Sequence, residues 1–237
     1  MIRPFIEKEN FDTVINATIS SHSKMKLLAD MTRLNTLTAV KEAGSGHLGT
    51  SFSSAEIVTY LYHSILNINA HNLNDPHRNI YFSSKGHDVP FQYATLYALG
   101  IISKEKLLLL RKLGGLDGHP DIGIDGIEAN SGSLGMGISK AAGMAWAKHY
   151  LNLEGALYVV TGDGEFQEGQ NFEALQFSVS REIRRLTVIM DHNKVQSDKY
   201  VEEILSLGNL KAKIQEFGWK VLEIDGHNFD EIENALR

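Results

Sequence analysis

The segment Val159-Val160-Thr161-Gly162-Asp163-Gly164-Glu165-Phe166-Gln167-Glu168-Gly169 sets one acid, Asp163, between two glycines directly after an apolar, β-like run. Asn193 lies thirty positions further on, after a second such run, in Asp191-His192-Asn193. A carboxylate, an amide oxygen and neighbouring main-chain carbonyls are hard oxygen ligands, a set that suits magnesium or calcium. Magnesium needs few protein ligands where phosphate oxygens complete its octahedron. Gly162 and Gly164 fit that chemistry, because a backbone without side chains can approach a phosphate closely. Taken singly, Asp163 and Asn193 also fit a plainer role as turn-shaping residues. A dinucleotide fingerprint is excluded, since the glycines of this segment do not follow the G-x-G-x-x-G spacing.

Three further groups could join such a site. The loop Ser131-Gly132-Ser133-Leu134-Gly135-Met136-Gly137 runs directly into a helical pattern. N–H groups at a helix start can bind an anion or fix the polar edge of a ligand, although a glycine-assisted helix start needs no ligand. Four of the ten histidines (His47, His87, His119 and His227) directly follow a glycine, where composition alone gives about one. Imidazoles in loops at the mouth of a sheet supply hydrogen bonds and titrate near neutral pH. No pair of them has the local spacing of a zinc site. His227, beside a helix cap, fits a structural role. Glu168 stands where a helix should begin, a position that the helix dipole favours for any acid.

The elements that must position these residues follow from periodicity. Ala156–Thr161 and Leu186–Met190 read as buried strands, Trp219–Ile224 as a third and Asn79–Phe82 as a short one. Helical patterns cover 24–43, 53–66, 89–99, 104–112, 137–150, 172–179 and 210–217, and Asn228-x-x-Glu231 reads as a capping box for a last helix. Gly44 follows the first of these patterns as a helix stop. Strand, helix, strand is the alternation of an α/β fold, a parallel sheet with helices on both faces. A right-handed crossover sets the ends of 156–161 and 186–190 side by side, and ligands of such sheets bind outside the carboxyl ends of the strands. The glycine-rich loop 114–135 is long for a compact domain, as functional loops often are.

Composition bounds the rest. The 237 residues, 43% hydrophobic, suffice for one large domain, read as 1–237 with a polar N-terminal arm of about 1–23. Acidic residues outnumber basic ones, 29 to 23, without charge blocks, which argues against non-specific nucleic-acid binding. The absence of cysteine excludes disulfides, thiolate metal sites and cysteine nucleophiles. No apolar run has the length of a membrane span, and the N-terminus lacks the apolar core of a signal peptide, so a cytoplasmic protein is expected.

Motif order carries a family resemblance. Gly46-His47-Leu48-Gly49, Ser84-Lys85-Gly86-His87, Gly118-His119-Pro120, the 131–137 loop, Gly162 to Gly169 and Asp191-His192-Asn193-Lys194-Val195-Gln196 stand in the order seen in transketolases. A GDG followed about thirty residues later by an asparagine is the thiamine diphosphate motif. From about residue 25 onward the chain resembles the N-terminal, diphosphate-binding subunit of a split, two-chain transketolase. Ser133 and Leu48 replace prolines common in full-length transketolases, as in split subunits.

The resemblance implies a thiamine diphosphate-binding fold and transfer of a two-carbon ketol unit between sugars or sugar phosphates. It implies thiamine diphosphate with Mg2+, or another divalent cation such as Ca2+, as cofactors. By motif match, Asp163, the side chain of Asn193 and the main-chain carbonyl of Val195 hold the metal, and Gly162 and Gly164 flank the diphosphate. His87 contacts the diphosphate, Gly132 and Leu134 the ring side of the cofactor. His47 and His119 line the substrate channel, and Glu168 meets a carboxylate network of the partner. The glutamate that activates the cofactor lies on the other half of the enzyme in this family, so a C-terminal, pyrimidine-binding subunit is the expected partner, in an α2β2 heterotetramer. Neither nucleic acid nor a membrane is expected as a partner. Half of another thiamine diphosphate enzyme (a 2-oxo acid dehydrogenase α subunit or an acyloin synthase) and a non-catalytic cofactor-binding scaffold are the alternatives.

Overall fold

A computed structural model describes residues 4–197 and 199–237. Helices α1 (Lys8–Asn16), α2 (Ser21–Ala43), α3 (Leu48–Ser53) and α4 (Ala55–Tyr60) come first, and a π-helical turn, Leu61–Ile65, extends the last of them. Strand β1 (Ile80–Ser83) leads to α5 (Val89–Ala98) and α6 (Lys104–Leu108). After the long loop come α7 (Gly137–Tyr150), β2 (Leu157–Gly162), a 3-10 turn at Gly164–Gln167, α8 (Gly169–Ser180) and β3 (Leu186–Asp191). The two-residue strands β4 (Val195–Gln196) and β5 (Lys199–Tyr200) precede α9 (Val201–Ile204), α10 (Leu210–Glu216) and α11 (Phe229–Leu236).

Internal contacts group the chain into two compact units, where one domain was expected. The first holds residues up to Asp75, His87–Asn130 and Ile224–Arg237; the second holds Pro76–Gly86 and Ser131–Glu223.

The first unit is helical and built around α2. Ser20 caps α2 by accepting the N–H of Ser23 at 3.2 Å, and Gly44 ends it at φ +71°, the left-handed stop that glycine adopts without strain. The expected arm of about 1–23 begins in residues 1–3, outside those described. From Pro4 onward it is tied down. The buried Asn35 side chain closes a two-bond ring with the main chain of Ile6, at 2.8 and 2.9 Å, and Phe11 of α1 is buried. One helix was expected over 53–66, opened by Ser53 or Ser54. Instead α3 ends at Ser53, and Ser54 turns the chain into α4 without a side-chain cap.

The second unit carries the sheet. β2 pairs in parallel with β1 on one side and β3 on the other, and the β2–β3 register sets Gly162 opposite Asp191. The two strand ends that the crossover argument placed together are therefore neighbours. Ile138, Phe166, Ala174, Leu175 and Ile214 form a core cluster, with Val188 and Met190 of β3 packed on it. The third strand expected at Trp219–Ile224 does not form, and β3 ends the sheet. Trp219 and Val221 pack on the cluster instead, and the indole N–H donates to the carbonyl of Leu175 at 3.0 Å. The alternation there is that of a segment lying on a core, not of a paired strand.

One histidine makes folding pH-dependent. Burial pushes His63, in the π-helical turn, down from 6.5 to about 4, and its Nε2 is buried without a hydrogen-bond partner among the described residues. Between those values the unfolded chain holds a proton that the folded chain refuses, so stability falls as pH drops through 6.5 and is lower by about 3 kcal/mol near pH 4. Urea denaturation across this range should show the slope, and His63→Leu should flatten it. An equal slope in the variant would assign the effect elsewhere.

Candidate functional site

Asp163 directly follows β2 and begins the 3-10 turn. The residue is buried, 3% exposed. One oxygen accepts the N–H of Gly164 at 2.8 Å and the other the N–H of Lys194 at 2.6 Å. Lys194 has a positive φ of 67°. Burial raises the Asp163 carboxyl above its ordinary value, against the lowering effect of those two N–H groups and of the His192 ring 4.0 Å away, and the charge of Asp191 adds to the rise.

Asn193 sits one residue before Lys194. Its amide oxygen accepts the N–H of Val195 at 2.9 Å, and its amide N–H donates to Asp191 at 3.0 Å. Asp191 is in turn paired with Lys85 at 2.6 Å, with both side chains buried. Asp163, Asn193 and Val195 therefore belong to one hydrogen-bonded loop system at adjacent strand ends, the adjacency that the spacing of Asp163 and Asn193 gave. The reason for Gly164 is more local than expected. A Cβ there would lie 2.7 Å from Cβ of Gln196, so the turn needs glycine in order to pack on β4. A Cβ on Gly162 would make ordinary packing contacts with Lys85 and Glu165, the nearest at 3.8 Å.

The loop 131–137 differs from its expected role as a free helix start. Gly135 donates its N–H to the buried Glu165 at 2.8 Å, and Gly137 donates to the Ser84 hydroxyl at 3.0 Å. These two amides are spent inside the fold. Glu165 also accepts the N–H of Gly162, at 3.1 Å, and the Ser84 hydroxyl. A Cβ on Gly137 would come within 2.1 Å of Ser84 Oγ, so α7 can start on β1 only with glycine. The main chain of Gly132 lies against Gly86, and the carbonyl of Leu134 accepts from Gln170 at 2.9 Å. Glu168 is exposed at the start of α8, where a Cβ on Gly135 would lie 2.7 Å from its own Cβ. Ser84, Lys85, Glu165 and Asp191 are the residues that sequence reasoning did not single out. All four lie inside the motifs that carry the resemblance, but nothing local in those motifs told the framing residues from the others.

The first unit gathers the histidines. The rings of His47 and His87 meet edge-on at 5.3 Å. His119 is held below the ordinary histidine value by burial, then by the charges of Arg111 and His47, against Asp117 and Asp88, while its main-chain carbonyl accepts the Tyr93 hydroxyl at 3.1 Å. His227 stays apart from this group in its contacts and bonds Glu56 at 2.7 Å, in keeping with a structural role.

Among the described residues no three His, Cys, Asp or Glu side chains form a metal cluster. The oxygens on hand at the strand ends are the Asp163 carboxylate, the Asn193 amide and main-chain carbonyls, beside the Asp191 carboxylate that is already engaged by Lys85 and Asn193. That donor set fits a hard cation whose remaining ligands come from a phosphate group, and does not fit a soft metal.

The family described as "Transketolase, thiamine diphosphate binding domain" matches residues 24–237. The chain is 40% identical over 210 residues to the 6-deoxy-6-sulfo-D-fructose transketolase subunit SqwG of Clostridium sp. (strain MSTE9), covering 88% of this chain and 76% of that one. It is 36% identical to an apulose-4-phosphate transketolase subunit of Phocaeicola vulgatus, covering 90% and 75%. Human transketolase is 31% identical, and there 90% of this chain spans 34% of the relative. The crystal structure of Campylobacter jejuni transketolase superposes with a TM-score of 0.83 at 29% identity, over 90% of this chain and 35% of that one.

Glu165→Ala should destabilise the chain without any ligand present. It strands the N–H groups of Gly135 and Gly162 and the Ser84 hydroxyl, at about 1–3 kcal/mol each, so a loss of about 3 kcal/mol or more is expected in urea denaturation. A loss under about 1 kcal/mol would show that water replaces the carboxylate.

Proposed function

The chain belongs to the transketolase family, as its thiamine diphosphate binding domain, and from that premise we propose that Asp163, the Asn193 side chain and the Val195 carbonyl hold a divalent cation, and through it the cofactor's diphosphate. The observation that carries this is the Asp163 carboxylate, fixed at the end of β2 by the N–H of Lys194, the residue next to Asn193. Magnesium suits the oxygen set, and calcium would serve through the same atoms. When bound, the cofactor supplies the carbon centre that takes up the two-carbon ketol unit.

The chain's own residues have separable tasks. Asp163 brings the charge that offsets the cation, and Asn193 brings a neutral oxygen already oriented by its bond to Asp191. Gly162 and Gly164 keep the strand end free of side chains. Gly132 and Leu134 present main chain to the ring side of the cofactor. His87 donates to the diphosphate. His47 and His119 hold substrate hydroxyls and pass protons, and a neutral His119 ring can do both. Glu168, exposed at the start of α8, meets carboxylates of the partner.

Relatives described as transketolase subunits support ketol transfer over 2-oxo acid decarboxylation, and a split architecture over a scaffold. We take the partner to be a pyrimidine-binding subunit, the assembly to be two copies of each, the substrates to be sugars or sugar phosphates, and the location to be the cytoplasm. No helix among the described residues is long and apolar enough to cross a membrane. Both compact units would act as one cofactor-binding domain.

The test is reconstitution with the pyrimidine-binding subunit encoded in the same genome, thiamine diphosphate and Mg2+, with ketol transfer between sugar phosphates as readout. Transfer by the mixture and none by the isolated chain is expected; turnover by the chain alone would refute the two-subunit reading. Asp163→Asn keeps the volume and removes the charge. It should weaken magnesium-dependent cofactor binding roughly 100-fold or more, with the far-ultraviolet circular dichroism unchanged. Unaltered binding would refute the metal assignment.

A further inference from the structure

A lysine is buried at the strand ends. Lys85, two residues beyond β1, is 1% exposed. Its stem packs beside the end of β2, where a Cβ on Gly162 would lie 3.8 Å from Lys85 Cβ and 3.9 Å from its Cδ. Its ammonium donates to one carboxylate oxygen of Asp191, the last residue of β3, at 2.6 Å, and that same oxygen accepts the Asn193 amide N–H at 3.0 Å. Asp191 is itself buried, and its main-chain carbonyl accepts the N–H of Asp163 at 3.2 Å. A second acid is therefore hydrogen-bonded to both residues assigned to the cation, and a lysine holds its carboxylate.

Stability is a weak reason for such a pair. Withdrawing two charges from water costs about as much as their attraction returns, and apolar residues of similar volume often serve a fold equally well. The pair has a chemical effect instead. The affinity of an oxygen site for a divalent cation is tuned by the number of its charged ligands. With Asp191 released, the strand ends would hold two carboxylates and an amide, a set able to capture a hard cation by itself. With Asp191 engaged by an ammonium, they offer the Asp163 carboxylate and the neutral Asn193 oxygen. A divalent cation there keeps charge that an anionic ligand has to balance. The bond from the Asn193 nitrogen to Asp191 also decides which end of that amide is turned away from the acid.

We propose that Lys85 is a positioning residue of the cation site: by tying down Asp191 it fixes the Asn193 amide with its oxygen toward the cation and keeps the chain's contribution to a single carboxylate, so that a divalent cation binds together with a diphosphate rather than alone. This rests on the assignment of Asp163 and Asn193 to the cation made above, and gives the reason such a site waits for its cofactor. The lysine acts through Asp191 and touches neither cation nor cofactor in this role.

The experiment measures Mn2+ binding by equilibrium dialysis to the full chain mixed with the pyrimidine-binding subunit of the same genome, with and without thiamine diphosphate. The unaltered mixture should bind Mn2+ roughly tenfold or more tightly with the cofactor than without it. Lys85→Met should bind Mn2+ alone roughly tenfold or more tightly than the unaltered chain does, a gain that a merely destabilised fold does not produce. Lys85→Met combined with Asp191→Asn should lose that gain, and Lys85→Arg should not show it. Lys85→Gln keeps a donor for Asp191 without the charge; it should show the gain too, and is read in place of Lys85→Met if that variant does not fold. If Mn2+ alone binds the Met and Gln variants no better than the unaltered chain, or if the double variant keeps the gain, the proposal is overturned and the cation assignment stands. Equally tight Mn2+ binding by the unaltered mixture with and without the cofactor overturns it in the same way. If the unaltered mixture with thiamine diphosphate binds no Mn2+, the cation assignment falls and the proposal with it.

Discussion

A carboxylate almost wholly withdrawn from water at the end of a parallel strand can persist only where donors meet both of its oxygens. Asp163 meets that condition with two main-chain N–H groups, one from its own turn and one from Lys194. Hydrogen bonds to a charged group are worth about 1.5–3 kcal/mol each, enough to fix a short loop. The bond to Lys194 holds the 193–195 segment, with its asparagine, against the turn that follows β2. Parallel pairing of β2 with β3 brings the strand ends together; the carboxylate then orders the loop beyond them. Burial still raises the carboxyl above its ordinary value, against the lowering effect of those two donors.

The second acid of the motif has a different task. Glu165 faces inward and joins the end of β2 to the start of α7 by accepting the N–H of Gly162 and of Gly135, while Ser84 at the end of β1 accepts that of Gly137. One acid therefore builds the frame, while its neighbour two residues earlier orders the loop after β3. The frame also uses amides that a helix start would otherwise offer to an anion.

Much of this was legible in the sequence where local pattern and backbone geometry agree. The apolar runs before Asp163 and Asn193 are strands β2 and β3 with ends within a residue of those expected, and α7 spans the residues that its periodicity gave. Asp163 and Asn193 could be paired because one crossover fixes the relation of two strand ends. What escaped is long-range. Glu165 reaches Ser84 and Gly135 across 81 and 30 positions, and no local period encodes such bonds. The N-terminal segment reads as a polar arm because its attachments are single buried groups, Phe11 in its own helix and Asn35 far along α2, with no apolar stripe to announce them. Trp219 and Val221 alternate like a strand but serve a core cluster, and alternation cannot tell the two apart. The gathering of His47 with His87 could be suspected from their shared glycine context, but not measured from it.

The account turns on one coordination claim, and anomalous scattering tests it most directly. Crystals of the chain with its partner subunit, thiamine diphosphate and Mn2+ in place of Mg2+ should show one strong anomalous peak, about 2.1 Å from an Asp163 carboxylate oxygen, the Asn193 amide oxygen and the Val195 carbonyl. A bound cofactor with the peak elsewhere, or with Asp163 still directed only at the N–H groups of Gly164 and Lys194, would contradict it.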